Sequence, residues 1–259
     1  MSAGERSRAV PRLLVLDTRP DPRPAAVELA ISHALLSRVG AGELPPLIRV
    51  YRPAPTVAFG RLDRRGEGFG RAIEAARRHG FEPAVRLAGG HAAAYHRGSL
   101  VYEEIRAGKN ALTGVGDRFE RFSGHLREAL TALGADPAIG ELPGEYCPGR
   151  HSVQLGGRIK VAGIAQRATR RAALTSASIV VRDVAPLRDV LKDVYDALSI
   201  ELDPATVGSL EEELPGIHMD TVAAELLARH RGDRGTVTAN IDAGTRALSI
   251  ELLSGHELR

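Results

Sequence analysis

The sequence of 259 residues predicts an α+β fold in which a mixed, largely antiparallel sheet packs against helices. Apolar runs of strand length follow one another with only some helices between them, which is not the pattern of a doubly wound parallel sheet. The 28 glycines and 15 prolines predict many turns. No repeat or low-complexity linker divides the chain. We therefore expect one domain over 1–259, with its core at 12–200 and with 201–259 adding helices and a strand.

The first half of the chain predicts strands and helices in mixed order. The segment Pro53-Ala54-Pro55 indicates a hairpin between two of the strands. Glycine is the usual residue after a helix, and Gly80 and Gly134 follow two segments with helical apolar spacing. The predicted strands are 12–17, 47–52, 56–60, 82–88, 92–96 and 99–106, and the predicted helices are 24–40, 70–79 and 116–133.

The second half begins with a loop, because 136–150 contains three prolines and three glycines. An antiparallel meander follows over 152–182, with turns at Gly156-Gly157 and near 168–172. The remaining predicted elements are helices at 185–198, 207–214 and 219–231 and one or two strands within 236–253.

Composition excludes several classes of function. Aromatic residues make up 4% of the chain, tryptophan is absent and the net charge is only +3. A nucleic-acid binder usually shows a basic stripe with aromatic residues, so we expect no nucleic-acid partner. Apolar runs such as 13–16 are far shorter than the roughly 18 residues of a membrane span, so we expect no membrane association. The single cysteine, Cys147, excludes an internal disulfide and favours the cytoplasm.

Lysine is scarce in this chain. Of the 35 lysine and arginine residues, only Lys109, Lys160 and Lys192 are lysines. Each lysine is therefore a candidate for a function that needs a compact ammonium group, which arginine cannot replace. Lys160 lies in a predicted strand, where alternation places Ala162, Ile164 and Gln166 on its face. The alternative is an edge-strand lysine that discourages aggregation.

The segment Arg86-Leu87-Ala88-Gly89-Gly90-His91 joins two predicted strands. Paired glycines allow the backbone to approach a ligand closely, although they are also typical of a hairpin turn. The following strand places Ala92, Ala94 and His96 on one face. Its small side chains either leave room for an extended apolar ligand or allow close sheet packing.

Cys147 lies in a polar Gly/Pro loop close to Arg150 and His151. Basic neighbours are typical of a reactive cysteine, whereas a lone cysteine is often only a small buried hydrophobe. A zinc site with His151 and His91 or His96 is a weaker alternative, because Cys-x3-His is not a common zinc spacing. No nucleotide-binding fingerprint is present, and we expect no metal.

These segments together resemble the lipoate-protein ligase A and octanoyltransferase branch of the biotin/lipoate protein ligase superfamily. The resemblance covers roughly 13–182 in the same order. It depends on the helix VELAISHALL, the segments LIRVYRPAPTVAFGR and VRLAGGHAAAYHRGSLVYEEI, and the strand GGRIKVAGIAQR. The resemblance implies the catalytic-domain fold of that superfamily.

The resemblance also implies roles for individual residues. Lys160 looks like the family lysine that contacts the acyl carbonyl. ATP-using members generally have a third glycine where this chain has His91 and an Asp where it has Arg97. They also have an Asn-Asp pair that helps to hold magnesium, and the equivalent segment of this chain, 150–152, contains no carboxylate. Cysteine octanoyltransferases of the same fold place a nucleophilic cysteine just before the lysine strand, as Cys147 is placed here. The expected substrate contacts are Arg86, Gly89, Gly90, His91, Ala92, His96, Gly163 and Gln166.

The resulting hypothesis is an acyltransferase of protein lipoylation. Cys147 would accept an octanoyl or lipoyl group from an acyl carrier protein and pass it to a lysine of a lipoyl carrier domain or of the glycine cleavage H protein. Lys160 would stabilise the oxyanion, and His91, His96 or His151 would act as base. No cofactor is then required. The alternatives are a lipoate-protein ligase that uses ATP and magnesium, and an inactive lipoate-binding or partner protein of the same fold.

Overall fold

The computed structural model describes residues 13–16, 23–228, 230 and 236–258. Within these residues the chain forms two sheets and six α-helices, which confirms the predicted α+β class. The helices are α1 (Ala25–Ala41), α2 (Phe69–Arg78), α3 (Val115–Ala132), α4 (Ala185–Leu198), α5 (Met219–Ala228) and α6 (Ala243–Leu252). The strands are β1 (Leu13–Leu16), β2 (Leu47–Tyr51), β3 (Thr56–Phe59), β4 (Glu82–Val85), β5 (Ala93–Tyr95), β6 (Ser99–Ala107), β7 (Pro137–Ile139), β8 (Val153–Leu155), β9 (Ile159–Ala168), β10 (Ala172–Val180) and β11 (Thr236–Ala239).

The large sheet has eight strands in the order β11-β1-β2-β6-β10-β9-β8-β7. Only the pairs of β1 with β11 and with β2 are parallel, so the sheet is mixed and largely antiparallel as predicted. The small sheet has the order β4-β3-β5, with β4 parallel and β5 antiparallel to β3. The segment at 236–239 therefore brings the last part of the chain beside the first strand.

Helices and the small sheet cover the two faces of the large sheet. On one face, α3 and α5 pack their apolar side chains on β6, β9 and β10 in a core that includes Tyr102, Phe122 and Val222. On the other face, α1 packs on β6 and β10. There the small sheet meets the large one where Tyr95 packs against Tyr51. α2 and α4 cover the small sheet, and a space lined by residues of both sheets and of α1 lies between the sheets.

Most helices and strands lie close to their predicted positions, but two predicted hairpins are wrong. β2 and β3 belong to different sheets, because prolines at 53 and 55 provide no backbone N–H and break the strand between them. β4 and β5 flank β3 and do not pair with each other, so Gly89-Gly90 is not a hairpin turn. The ends of the first predicted strand, Arg12 and Asp17, and the end of the predicted helix 219–231 lie outside the described residues.

Three segments after residue 135 differ from prediction. The segment 207–214 is not an α-helix. Two short 3-10 turns, Pro204–Thr206 and Leu210–Glu212, lie on either side of Gly208, where a Cβ would lie 2.4 Å from Ile159 Cβ. The segment after β11 is a helix, not a strand, and Asp242 caps it by accepting the N–H of Thr245. The predicted loop 136–150 contains the short strand β7.

A bulge in β9 changes which side chains share a face. Gln154 pairs with Lys160 but Val153 pairs with Ala162, so one extra residue stands at Val161. A bulge places two residues opposite one and reverses the alternation. The predicted face of Lys160, Ala162, Ile164 and Gln166 is therefore wrong, because Lys160 instead shares its face with 163 and 165.

None of the helices in the described ranges is long and apolar enough to cross a membrane.

Candidate active site

Cys147 lies in a loop that is folded around one buried carboxylate. Oε1 of Glu145 accepts hydrogen bonds from the hydroxyl of Ser152 at 2.6 Å and from the N–H of Gly149 at 3.1 Å, and Oε2 accepts the N–H of Leu142 at 3.2 Å. Cys147 itself has a φ of +43°, which is uncommon for a residue other than glycine. The loop therefore holds the thiol in one particular backbone conformation.

Lys160 is fully buried and fastens this loop to β9. Its Nζ donates to Oε1 of Glu145 at 3.0 Å and to the carbonyls of Tyr146 and Cys147 at 2.8 and 3.0 Å. An ammonium has three N–H donors, so each has an acceptor. Burial lowers the pKa of Lys160 and the carboxylate of Glu145 opposes this shift. The edge-strand alternative is wrong, because Lys160 is 0% exposed on a strand between β8 and β10.

The Gly-Gly loop lies directly against the thiol. Nη2 of Arg86 donates to Sγ of Cys147 at 3.2 Å and to the carbonyl of His91 at 2.6 Å. Gly90 has a φ of +90°, and a Cβ there would lie 2.6 Å from Sγ and 2.9 Å from Nη2 of Arg86. Only glycine fits this position, so the predicted close approach of backbone to the site is present.

Two further contacts hold this arrangement from outside. The hydroxyl of Tyr195, on α4, accepts the N–H of Cys147 at 2.7 Å and donates to the carbonyl of Ala92 at 2.8 Å. On the other side of the Gly-Gly loop, Asp63 accepts the N–H of Gly60 and contacts Nδ1 of His91, both at 2.8 Å. The Gly-Gly loop is thus fixed between α4 and the end of β3.

The three candidate histidines lie in different surroundings. Nδ1 of His96 accepts the N–H of Gly98 and its Nε2 lies 2.9 Å from the carbonyl of Asp183, so both ring nitrogens are occupied. His91 is bound through Nδ1 to Asp63. His151 stacks on Phe119, with 5.0 Å between the ring centroids, and lines the same groove as Cys147. His151 is thus the histidine that shares a surface with the thiol.

Two cavities meet at this point. A mostly apolar cavity, the tunnel, lies between the two sheets and reaches Arg86 and Gly163, which contact Cys147 and Lys160 respectively. An open groove on the other side is lined by Gly89, Gly90, Val115, Phe119, Cys147, Pro148, Gly149, Arg150, His151, Ile164, Ala165, Gln166 and Ala168. Ala165 lines both, so the two cavities adjoin at this residue, close to the thiol.

The structure brings some of the predicted substrate-binding residues to these cavities and not others. Gly163 lines the tunnel and leaves room for Lys160, whose Cε would lie 3.2 Å from an added Cβ. Gln166 lines the groove, with its Oε1 bound by Arg118 of α3 at 2.8 and 3.0 Å. Ala92 is buried under Tyr195, and His96 lines neither cavity.

The carboxylates around the thiol do not suit a magnesium ion, which binds through one or two free carboxylates together with phosphates. Glu145 already accepts four hydrogen bonds, and Asp63 contacts His91 and Gly60. The described residues also contain no group of three or more His, Cys, Asp or Glu that could hold a metal.

The family model described as the lipoyl protein ligase A/B catalytic domain matches residues 24–231. The chain belongs to this family. The chain is also similar to a curated octanoyl-[GcvH]:protein N-octanoyltransferase of Geobacillus kaustophilus, which is 33% identical over 150 residues. These residues are 56% of this chain and 51% of the relative, so the match spans about half the length of that relative. Five further relatives carry the same name.

Solved structures show the same fold. Protein Ta0514 of T. acidophilum, solved with bound lipoic acid, is 21% identical with a TM-score of 0.72, covering 95% of this chain and 96% of that one. A lipoate-protein ligase A bound with ATP is 22% identical with a TM-score of 0.71, covering 94% of each chain. The expected fold of the superfamily is therefore confirmed.

Sequence reasoning on this lipoyl protein ligase A/B catalytic domain missed Glu145, Asp63 and Tyr195. Glu145 stands two residues before Cys147, and a carboxylate so close to the only cysteine was a usable signal. Asp63 and Tyr195 lie 28 residues before His91 and 48 residues after Cys147, and no local pattern marks them.

Proposed function

We propose that this chain is an octanoyltransferase of protein lipoylation that carries the acyl group on Cys147. The observation that carries this proposal is the position of the thiol where an apolar tunnel meets an open groove. The tunnel suits an acyl chain and the groove suits the ends of protein side chains. The names of the curated relatives support octanoyl-GcvH, the octanoylated glycine cleavage H protein, as the donor.

The transfer divides into two steps, as is usual in covalent catalysis. The thiolate of Cys147 attacks the octanoyl carbonyl, so a C–S bond forms and the C–N bond to the donor lysine breaks. The donor amine leaves with the proton that the thiol gave up. An amine of the acceptor lysine then attacks the thioester, a new C–N bond forms, the C–S bond to Cys147 breaks, and the proton lost by the amine returns to the sulfur of Cys147.

Lys160 and His151 assist these steps in the proposal. Lys160 donates to the carbonyls of Tyr146 and Cys147. If it exchanges one of these hydrogen bonds for one to the acyl carbonyl, it stabilises the oxyanion. One such donor is worth roughly 2.7–4 kcal/mol. His151, in the groove beside the thiol, carries protons between sulfur and the amines.

The donor, acceptor and compartment complete the proposal. The acceptor is a lysine of a lipoyl carrier domain, and an acyl carrier protein is the alternative donor. Because the nucleophile is a free thiol, the reaction belongs in a reducing compartment such as the cytoplasm. A cofactor is not needed for transfer between carriers.

The second candidate is an ATP-dependent lipoate-protein ligase, favoured by the fold shared with a ligase bound to ATP. The occupied carboxylates beside Cys147 argue against it. In that candidate the thiol is incidental, so loss of Cys147 would leave activity intact. An inactive acyl-binding protein of the same fold would bind octanoate without turnover.

Intact-mass spectrometry distinguishes these candidates. We expect octanoyl-GcvH to add one octanoyl group, labile to hydroxylamine, to the wild-type chain. We expect it to add no such group to a Cys147→Ala variant. Octanoyl-acyl carrier protein is tested in parallel as the other donor. Full transfer by Cys147→Ala, or release of pyrophosphate from ATP and lipoate faster than transfer, would establish the ligase instead.

A further inference from the structure

One part of the tunnel wall is polar, although most of the lining is apolar. Ser32 of α1 and Glu103 of β6 both line it and both are buried. The hydroxyl of Ser32 donates to the carboxyl of Glu103, with oxygen–oxygen distances of 2.8 and 2.9 Å. A buried carboxyl in the wall of a mostly apolar cavity has no role in the chemistry at Cys147, so it requires a separate explanation.

A buried ion pair lies directly behind this wall. Arg49 is 0% exposed and pairs with Glu28 of α1. Its Nη1 donates to the hydroxyl of Ser32 at 3.1 Å and lies 3.6 Å from Glu103. Breaking a buried pair leaves an uncompensated charge and is strongly unfavourable, so an incoming chain cannot displace this cluster.

The register of the strands gives the depth of the tunnel. Gly163, at the thiol end, pairs with Ser178 of β10. One level deeper, Ser176 of β10 pairs with Glu103 of β6 on one side and with Ala165 of β9 on the other. Glu103 is therefore two strands across and two residues along from Gly163, a distance of about 12 Å for ordinary strand spacing.

We propose that Glu103, held by Ser32 and backed by Arg49, ends the acyl tunnel and restricts the substrate to medium-length acyl chains. A longer chain would press methylenes against the carboxyl and remove its hydrogen bonds, and a buried polar group without a partner is costly. This proposal rests on the proposed function, since it concerns the acyl chain that Cys147 carries.

Acylation of Cys147 by N-acetylcysteamine thioesters tests the limit without any carrier protein. The second-order rate constant is measured by intact mass for hexanoyl, octanoyl, decanoyl and dodecanoyl thioesters. We expect the wild-type rate to fall from octanoyl to dodecanoyl. Glu103→Ala opens the end of the tunnel and is expected to raise the dodecanoyl-to-octanoyl ratio at least about tenfold.

Glu103→Gln is the matched control. Burial raises the pKa of Glu103, so a neutral amide of the same size is a close replacement, and the ratio should stay within about twofold of wild type. A folded Glu103→Ala variant, verified by circular dichroism, that keeps the wild-type ratio would overturn the proposal.

A second variant decides the question if Glu103→Ala does not fold. Ser176→Val adds bulk to the tunnel directly opposite Glu103, so it is expected to shift the preference from octanoyl to hexanoyl. An unchanged preference would show that the chain does not reach this level and would also overturn the proposal. Failure of the proposed function is a different result, because the wild type would then form no adduct at Cys147 with any thioester.

Discussion

At the scale of single residues, the site depends on a few side chains that have no spare hydrogen-bonding capacity. Lys160 uses all three N–H groups on one loop, and Glu145 accepts from four groups. Both are buried, and an unpaired charge in such a position is costly. This explains how a loop rich in glycine and proline presents Cys147 in a defined orientation.

The two adjacent glycines of the Gly-Gly loop provide a sharp residue-scale prediction. Gly90→Ala places a methyl group 2.6 Å from Sγ of Cys147 at a φ of +90°, so it displaces either the thiol or Arg86. We expect kcat/KM for acyl transfer to fall roughly a hundredfold, as small displacements at reacting groups do.

Gly89→Ala is the matched control, because no atom lies within 4 Å of a Cβ there and its φ is not in the left-handed region. Its kcat/KM should stay within about twofold of wild type. Equal activity of the two variants in a steady-state transfer assay would mean that Gly90 does not contact the reacting groups.

At the scale of helices and strands, sequence periodicity predicted the type of most segments but not which segments pair. α4 begins and ends at its predicted residues, because its apolar spacing is local information. The partners of β2 and β3 were wrong, since hydrogen bonds between strands depend on residues far apart in the chain. The bulge at Val161 has no local signature either, and it decides which side chains accompany Lys160.

The same distinction applies to the candidate site. Composition pointed to Cys147 and Lys160, because the chain has one cysteine and three lysines, and the structure brings the two together. Tyr195 escaped notice because its function depends on α4 lying against the Cys147 loop. Only tertiary packing creates that contact.

Tyr195→Phe tests whether α4 holds the loop. The variant keeps the buried ring but removes the hydroxyl, so the N–H of Cys147 and the carbonyl of Ala92 lose their partner. Leaving such groups unsatisfied costs about 1–3 kcal/mol. We expect the free energy of unfolding in urea to fall by about this amount and the rate of Cys147 acylation to fall with it.

Lys192→Ala serves as the control on the same helix. Lys192 lies on the exposed face of α4, where it pairs with Asp196 at 2.7 Å. Its replacement should change neither the unfolding free energy nor the acylation rate beyond experimental error. If Tyr195→Phe behaves like Lys192→Ala, the hydroxyl is not what fixes the thiol.

At the scale of the whole molecule, the two faces of the large sheet have different roles. The face toward α1 and the small sheet holds the tunnel and the buried ionic cluster. The face toward α3 and α5 is a continuous apolar core, closed at one edge by polar residues.

His230 makes the stability of the second face depend on pH. It hydrogen-bonds the hydroxyl of Tyr102 on β6 and packs edge-on against His125 of α3. Burial lowers the pKa of His230 from 6.5 to about 4. Glu104 opposes this shift, whereas His125, Arg106 and Arg121 reinforce it.

The sign of the effect follows from proton binding in the two states. Between pH 6.5 and about 4 the unfolded chain protonates His230 and the folded chain does not, so unfolding takes up a proton. The free energy of unfolding should therefore fall as the pH drops through this window. Asp242, whose pKa is lowered from 3.8 to about 2, contributes only below it.

Urea unfolding of the wild type and of His230→Gln across this pH range tests the assignment. The amide cannot take up a proton, so the unfolding free energy of the variant should decline less steeply between pH 6.5 and 4. Some decline will remain, because burial also lowers the pKa of His33, His125 and His256. Parallel curves for the two proteins would show that His230 does not cause the acid sensitivity, and would leave it to those three histidines.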